Sequence, residues 1–450
     1  MKTFVVGVDS VDSLYGGCTT HFTVFLIKKL LLQGYELMDL PHLVRLNQFI
    51  PWKTRGNASV GFIVKTEKDD VSSRDLLKIV KISLESYGGD AIGREPGMAV
   101  LEANEEKSSW IQRLYLFYKK TVYDYVASTY FENNVASNEI SFWGGKGVLG
   151  AVAAIGYTLQ TLPHTFELIA YRKPENMGEE RAIIDESIKN IETKSAGALF
   201  NNYNYNEEKA VAAPRGPDPV LLGLRGVDPY MMIDLAKEIE LGEEPDAWMI
   251  FATNQHLDEH FRLLKVNELR TYSSGYIEGV VEDNPRVYRK GHVAVKLRDD
   301  TGAVAVYFFS PTKPMNKIAM NLRRGDYIGV LGGAKPSGET LIFEAHKLWV
   351  YESPVDIQIV NPPCPVCGHR LKSDGIRGMK CSSCGYSTPF KYKTVEMKSR
   401  RDYLKVIYTP LPGRINHLVR PSWIDIAVKE KSYSPEILIP KLLMLNNYFV

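Results

Sequence analysis

Four of the five cysteines in this chain fall in two Cys-x-x-Cys knuckles, Cys364-Pro365-Val366-Cys367 and Cys381-Ser382-Ser383-Cys384, with thirteen residues between them. Each knuckle is closed by a glycine, Gly368 or Gly385, which lets the backbone turn sharply behind the second sulfur. Four thiolates at this spacing complete a closed tetrahedral site, so the segment is predicted to be a zinc ribbon with Cys364, Cys367, Cys381 and Cys384 as structural ligands. A pair of disulfides is the competing arrangement, and it needs an oxidising compartment. The rest of the chain argues against export. Met1 to Val6 is too short, and too soon followed by Asp9, to serve as a signal peptide, and no apolar run approaches the ~18 residues that span a bilayer. A cytoplasmic protein with no membrane association is expected, and 450 residues suggest three or four domains.

The net charge of +2 conceals an uneven distribution. Between Cys364 and Lys431 there are fourteen Lys and Arg against five Asp and Glu, a formal +9, so the remainder is net acidic. Cations that include Lys391, Lys393, Arg400, Arg401 and Lys405 are interleaved with Phe390, Tyr392, Tyr403, Tyr408 and Trp423. This pattern suits nucleic acid, where cations neutralise phosphates and rings stack on bases. Upstream, Ser274–Glu282, His292–Leu297 and Ala303–Phe309 alternate as strands. A helix is predicted over 314–324, and Asp326–Leu331 and Leu341–Tyr351 are two further strands. The order β-β-β-α-β-β is that of an OB-fold barrel, which binds single strands or tRNA, although a plain spacer would share the pattern.

The N-terminus carries a different chemistry. Phe4-Val5-Val6 reads as a short buried strand that empties into Gly7-Val8-Asp9-Ser10-Val11-Asp12-Ser13, then Gly16-Gly17-Cys18-Thr19-Thr20. Asp9 and Asp12 are candidate magnesium ligands. The Gly16-Gly17 backbone can approach phosphate oxygens, and a helix starting near Thr19 would aim free N–H groups at an anion. No Lys follows the glycines, so this is not a Walker A loop. The alternative is that Asp and Ser here merely cap the next helix. Cys18 reads as a small buried filler rather than a nucleophile, since no nearby His would lower its pKa. Downstream, Pro41–Asn47 and Ala58–Phe62 read as two strands around the loop Trp52-Lys53-Thr54-Arg55-Gly56-Asn57. Arg45, Lys53 and Arg55, with Gly56 and Asn57, are candidates to bind ATP phosphates, though an ordinary solvated hairpin would also carry such charges.

In the middle, a Gly-rich turn at Gly144 enters the Ala-rich helix at Ala151–Gly156. A strand at Phe166–Tyr171, a charged helix around 179–189, an apolar helix at 229–240 and a strand at 248–252 follow, an alternation that suits an α+β, ferredoxin-like domain. Asn201–Tyr205 and Ala213–Pro219 read as loops that either line a small-substrate pocket or simply connect elements.

Several of these segments carry a family resemblance. The Gly7-Val8-Asp9 opening, Cys18-Thr19-Thr20, the Arg45-Leu46-Asn47 to Lys53-Thr54-Arg55-Gly56-Asn57 block, Gly145-Lys146-Gly147-Val148-Leu149-Gly150-Ala151 and Phe166-Glu167-Leu168-Ile169-Ala170-Tyr171-Arg172 resemble the archaeal tRNA(Ile) 2-agmatinylcytidine synthetases. The resemblance runs from the N-terminus through the C-terminal cysteines. One departure is plain: the family usually reads D-D-T-D where this chain has Asp9-Ser10-Val11-Asp12, one carboxylate fewer.

The resemblance implies an ATP- and magnesium-dependent enzyme that joins agmatine to the wobble cytidine of the isoleucine tRNA with a CAU anticodon, through a phosphorylated cytidine. It implies catalytic roles for Asp9, Asp12 and Thr19, the last being the family threonine that is phosphorylated during the reaction. A helix N-cap is the other role open to Thr19. The expected architecture is α+β and multi-domain: a kinase-like α/β catalytic domain (1–140), a ferredoxin-like domain (141–265), an OB-fold RNA-binding barrel (266–355), and a zinc ribbon with a basic tRNA-binding region (356–450). No obligate protein partner is indicated. A non-catalytic tRNA- or single-strand-binding protein and a small-molecule kinase are the two other readings.

Overall fold

The structure is a computed structural model and describes residues 1–13, 16–53, 55–88, 95–103, 108–214, 216, 219–258, 261–354, 356–398, 407–422 and 433–445. Its largest element is a nine-stranded sheet that uses both the N-terminal and the middle segments. The main strands are β1 (Lys2–Asp9), β2 (His42–Arg45), β3 (Ala58–Thr66), β4 (Gly97–Ala103), β5 (Ile140–Gly144), β6 (Thr165–Arg172), β7 (Val220–Gly226) and β8 (Pro245–Thr253). They lie in the order β7-β6-β8-β2-β3-β1-β4-β5, and Glu36–Leu37 adds a short ninth strand beside β3. All pairings are antiparallel except β8 with β2, where Ala252 lies opposite His42 and Thr253 opposite Leu43. That parallel seam joins the two segments into one sheet. The expected boundary at 140/141 falls within β5, which is hydrogen-bonded to β4.

The two-residue strand period decides which face each side chain meets. Phe4, Val6 and Val8 of β1 pack with Phe22 and Leu26 of α1 (Thr19–Leu32) and with Leu76 and Val80 of α2 (Ser73–Tyr87). Val5 points the other way, into a cluster with Leu114 and Tyr118 of α3 (Ser108–Tyr123) and Ala151 and Ile155 of α4 (Gly147–Thr158). Glycines let α4 lie directly on the strands: Gly7 and Gly61 sit opposite each other, and a β-carbon on Gly7 would stand 2.0 Å from the Ala151 carbonyl oxygen. The charged helix α5 runs Asp185–Lys194, later than predicted, because the side chain of Arg181 is used instead to clamp the carbonyls of Val220, Pro214 and Gly216 at 2.7–3.0 Å. The apolar helix α6 spans Pro229–Ala236, with Asp228 as its N-cap.

The third segment is a closed barrel of β9 (Ser274–Val281), β10 (Val293–Arg298), β11 (Ala303–Phe308), β12 (Tyr327–Ser337) and β13 (Thr340–Glu352), paired β9-β12-β13-β11-β10 and back to β9. With α7 (Met315–Ala319) between the third and fourth strands, the order is that predicted for an OB-fold. The helix is shorter than the predicted 314–324 because the chain turns at Arg323, whose N–H donates to Asp326 at 2.8 Å. The barrel is bonded to the large sheet through Asn47, whose amide donates to the Tyr272 carbonyl at 2.8 Å, and through the Ser274 hydroxyl on the Val122 carbonyl at 3.0 Å.

Beyond it lie a two-stranded ribbon (Asp356–Val360 with Thr394–Lys398) and a small three-stranded cysteine module. The chain then returns. Ile407–Tyr408 pairs with β13, residues 409–420 run back over the large sheet, and α8 (Pro435–Leu445) packs its Leu438 and Leu442 into the same core as β1.

Candidate active site

The C-terminal end of β1 is where two helices meet. Thr19 opens α1, and Gly147 opens α4, lying so close that its β-carbon would stand 3.0 Å from the Asp9 carbonyl oxygen. The start of α1 favours an anion at this end of the strand, whereas the first N–H groups of α4 are taken up by the carbonyls of Glu95, Gly145 and Lys146. Asp9 itself is 7% exposed and accepts from the Ser10 N–H at 2.6 Å. Burial pushes its pKa well above the usual carboxylate range. The Ser10 N–H opposes that and the charge of Asp12 adds to it. A buried carboxylate held in this way is stabilised by a cation, so Asp9 and Asp12 are the residues here that could hold a metal ion.

Thr19 does not cap α1. Cys18 occupies the N-cap position without a side-chain capping bond, and the Thr19 hydroxyl accepts from the Val11 N–H at 3.2 Å and donates to Asp12 Oδ2 at 3.1 Å. The capping alternative read from the sequence therefore gives way to a hydroxyl–carboxylate pair. Cys18 is buried, as expected of a filler, with its sulfur 3.1 Å from the Thr20 hydroxyl. Gly16 and Gly17 have φ of 124° and 70°, a conformation that favours glycine, and Ser13 closes the turn on the Gly16 carbonyl.

The three cations predicted to hold phosphate are placed differently from one another. Arg55 lies over the loop, with Nη1 3.2 Å from Asp12 Oδ1 and Nη2 3.3 Å from the Gly17 carbonyl. Arg45 is buried and points to the neighbouring strands, with Nη2 3.3 Å from Glu167 Oε2 and Nη1 3.3 Å from the Gly56 carbonyl. Lys53 turns to the barrel side: its ammonium bonds the Gln48 carbonyl, and burial followed by Lys335 lowers its pKa. Asn57 braces the loop by donating to the Asn47 carbonyl at 2.6 Å. Gly56 lies against Arg45: a β-carbon there would stand 2.3 Å from Arg45 Nη1, so the guanidinium would have to move. Thr54 lies outside the described residues.

Sequence reasoning passed over the buried polar network beside Arg45. Glu167 on β6, Arg225 on β7, Gln255 and His256 after β8, and His417 from the returning C-terminal segment all meet there. Burial pushes the Glu167 carboxyl up, but Arg45, Arg225 and Gln255 outweigh it and hold the pKa below the ordinary value. Gln255 links Glu167 to His417, whose Nδ1 is 3.1 Å from Gln255 Oε1. Burial and the two arginines drive His417 well below the usual range and His256 to about 4, so both imidazoles are neutral at pH 7. Arg45 pairs with the Glu167 carboxylate, Arg225 stands on the neighbouring strand with Nη1 2.8 Å from the Asn201 carbonyl, and among the described residues neither Arg45 Nε nor Arg225 Nε has a hydrogen-bond partner. The signal was a single Glu in the apolar strand Thr165–Arg172, since a buried charge requires a partner.

The cysteine quartet is assembled as its spacing predicted. All four sulfurs lie within 4.8 Å of one another, with Cys364–Cys384 at 3.5 Å and Cys367–Cys381 at 3.4 Å. Four sulfurs at such separations suit a tetrahedral metal with Zn–S of ~2.3 Å. Gly368 and Gly385 both have positive φ, and their N–H groups return to the carbonyls of Cys364 and Cys381. Lys391, Lys393, Phe390 and Tyr392 are exposed beside this module, whereas Arg400, Arg401, Lys405, Tyr403 and Trp423 lie outside the described residues. Ala213, Pro214 and Gly216 line a cavity of about 1070 Å³ together with Arg172, Glu207 and Arg414.

A relative from Saccharolobus islandicus (strain L.S.2.15 / Lassen #1), the isoleucine-2 tRNA 2-agmatinylcytidine synthetase TiaS, is 34% identical over 447 residues, covering 96% of each chain. The chain belongs to the TiaS family. The TiaS of Methanocaldococcus jannaschii (strain ATCC 43067 / DSM 2661 / JAL-1 / JCM 10045 / NBRC 100440) is 32% identical, over 94% of this chain and 98% of its own. Family models of the TiaS TCKD domain, the TiaS FLD domain and an OB-fold nucleic acid binding domain match residues 5–127, 145–260 and 276–352. Among solved structures, apo TiaS, described as the agmatidine synthetase of isoleucine-2 tRNA, superimposes with a TM-score of 0.82 at 28% identity, covering 96% of this chain and 100% of that one. The complex of TiaS with isoleucine-2 tRNA and ATP (TM-score 0.78, 28% identity) and that with the same tRNA, AMPCPP and agmatine (0.76, 26%) each cover 96% of this chain and 99% of theirs. No helix among the described residues is long and apolar enough to cross a membrane.

Proposed function

We propose that this chain is an ATP-dependent tRNA(Ile) 2-agmatinylcytidine synthetase, which attaches agmatine to the wobble cytidine of the CAU-anticodon isoleucine tRNA. The observation that carries this reading is the end-to-end likeness to TiaS, over 96% of both chains in the relative from Saccharolobus. Chemically, the 2-oxo oxygen of cytosine is a poor leaving group. A phosphoryl group from ATP converts it to a good one, agmatine's primary amine adds at the ring carbon, and phosphate departs with that oxygen. Phosphoryl transfer of this kind calls mainly for positioning and charge neutralisation.

Asp9 and Asp12 hold magnesium in this scheme, which would supply charge neutralisation at the phosphates. The Thr19 hydroxyl, bonded to Asp12, is oriented to accept a phosphoryl group, and Asp12 is positioned to take its proton. Gly16, Gly17, Arg55, Gly56 and Asn57 shape the phosphate cradle. Arg45 and Lys53 add positive potential from behind it, and the unpartnered guanidinium N–H groups at Arg45 and Arg225 favour a further anion. Zinc on Cys364, Cys367, Cys381 and Cys384 would stabilise the cysteine module, and Lys391, Lys393, Arg400, Arg401 and Lys405 are the cations assigned to tRNA phosphates in this scheme.

The same reading divides the chain into a kinase-like catalytic part (1–140), a ferredoxin-like part (141–265), the barrel (266–355) and the ribbon region (356–450), working in the cytoplasm without a protein partner. Incubation with ATP, magnesium, labelled agmatine and tRNA, followed by nucleoside analysis, tests it. An agmatine-bearing cytidine is expected. Tight tRNA binding with no such product would favour a non-catalytic binder, and ATP turnover without tRNA a small-molecule kinase.

A further inference from the structure

After the cysteine module the chain comes back across the large sheet as a strap, residues 409–420, that ties together parts far apart in sequence. The His256 N–H donates to the His417 carbonyl at 2.8 Å, and the Asp258 N–H to the Leu418 carbonyl at 3.2 Å. The His256 ring bonds the Val419 carbonyl at 2.8 Å, and the Arg420 N–H donates to Asp258 Oδ1 at 2.8 Å. Leu418 and Val419 are fully buried, Leu418 in the cluster that holds Tyr118 and Ala151. A backbone fixed at successive residues holds the ring of His417 in one place.

The two nitrogens of that ring have different surroundings. Glu167 is ionised, so the Gln255 amide nitrogen faces it as donor and the amide oxygen is left for His417 Nδ1, at 3.1 Å. An amide oxygen only accepts, so Nδ1 carries the proton and Nε2 presents a lone pair. Among the described residues Nε2 has no hydrogen-bond partner, and His417 is half-buried rather than sealed off. It lies against the phosphate loop: a β-carbon on Gly56 would stand 3.0 Å from Nε2. Arg55, the residue before, reaches Asp12 from the same loop. Facing the imidazole are Arg45 of β2, Lys53 of the loop, Arg225 of β7 and His256 after β8, with Glu167 behind Gln255. Burial and these cations keep the ring neutral at pH 7.

We propose that His417 Nε2 accepts the proton that agmatine's primary amine sheds as it displaces phosphate from the activated cytidine. The proposal rests on the synthetase reading above and adds a residue to the second half of that reaction. In this step the amine's lone pair forms the bond to the ring carbon, and the electrons of the carbon–oxygen bond leave with phosphate. One N–H proton is then surplus. Nε2 takes it, and the imidazolium, surrounded by cations, passes it to the departing phosphate or to water, which restores the neutral ring. The strap brings this group to the site only when the chain has folded back after the cysteine module.

The test gives the full-length, zinc-loaded protein ATP, magnesium, tRNA and labelled agmatine, and follows phosphate on tRNA and agmatine on tRNA separately in single turnover. His417→Asn keeps an amide N–H at the place of Nδ1 for Gln255 and has no basic nitrogen at the place of Nε2. It should transfer phosphoryl groups to tRNA at close to the wild-type rate yet attach agmatine about 10²–10⁴-fold more slowly, so that phosphorylated tRNA accumulates. Added imidazole should restore part of the loss in this variant and leave the wild type unchanged, which no purely structural role would produce. As acid protonates the ring, the wild-type rate of agmatine attachment should fall more steeply with pH than the variant's. If His417→Asn does not fold, His417→Gln, which also lacks a basic nitrogen, serves the same test. A variant that attaches agmatine like the wild type, or that loses both half-reactions together without rescue by imidazole, would overturn the proposal. A wild-type protein that forms no agmatine-bearing cytidine would overturn the enzymatic reading itself, and the proposal with it, so the two failures are distinguishable.

Discussion

Gly150 on α4 faces the carboxylate of Asp9 so closely that a β-carbon there would stand 1.9 Å from Asp9 Oδ2. The helix that begins Gly147-Val148-Leu149-Gly150 thus sets the space in which the first carboxylate of the proposed metal site can sit. Gly150→Ala should displace Asp9 or the helix, at a cost of ~1–3 kcal/mol of stability, and should lower nucleoside formation far more than tRNA binding. Thermal unfolding and product analysis on the same preparation check both. Unchanged activity would show that the Asp9 position is not used.

Burial raises the pKa of Asp9, so the folded protein binds this proton more tightly than the unfolded chain does. The stability linked to this group is therefore present at low pH and is lost as pH rises through the folded pKa. At neutral pH and without metal, Asp9→Asn should raise Tm by ~2 °C or more while abolishing product formation. Magnesium should stabilise the wild type and not the variant. A variant that is less stable and still active would remove Asp9 from the metal site.

Thr19→Ala and Asp12→Asn should each reduce nucleoside formation by ~10²–10⁴-fold or more, since one removes the hydroxyl and the other its carboxylate partner. Thr19→Ser, which keeps the hydroxyl, should retain activity. Binding of tRNA should persist in all three. Ser10→Asp, which returns the carboxylate usual in the family, should be tolerated and alter metal preference, as magnesium and manganese titrations would reveal.

His256 is neutral in the folded protein, with a pKa lowered to about 4 by burial and Arg225. Unfolding lets it take a proton near its ordinary value of ~6.5, so its contribution is present above that pH and is lost between ~6.5 and 4. Its φ of 58° is one that Asn tolerates. His256→Asn should therefore show a shallower fall in stability across this window than wild type, read as the difference between two denaturant series. Parallel curves would count against a buried neutral imidazole.

Cys367→Ser or Cys381→Ser should release one zinc per chain and weaken tRNA binding while leaving ATP binding nearly intact, because the four sulfurs close a module apart from the large sheet. Metal analysis by mass spectrometry and nucleotide titration separate the two effects. Absence of zinc from the untreated protein would sink the assignment.

The features legible in the chain alone were local. The cysteine knuckles announce their own geometry because ligand spacing and the trailing glycines are a few residues apart. The barrel order was legible because each strand alternates and its turns are short. Asp9, Gly16, Gly17 and Thr19 were legible for the same reason: a strand, a turn and a helix start in succession. The tertiary structure alone decided where long-range partners fall. Glu167 lies opposite Arg225 in the β6–β7 pair, but it meets Arg45 only because that pair joins the N-terminal sheet across the β8–β2 seam. His417 reaches Gln255 only because the chain returns after the cysteine module. Arg45, Lys53 and Arg55 share one short stretch of sequence yet face three directions, since alternation along β2 and the left-handed turn at Arg55 and Asn57 send successive side chains apart. Charge pattern specifies which residues need partners. Strand order, which depends on the whole core, specifies the partners they find.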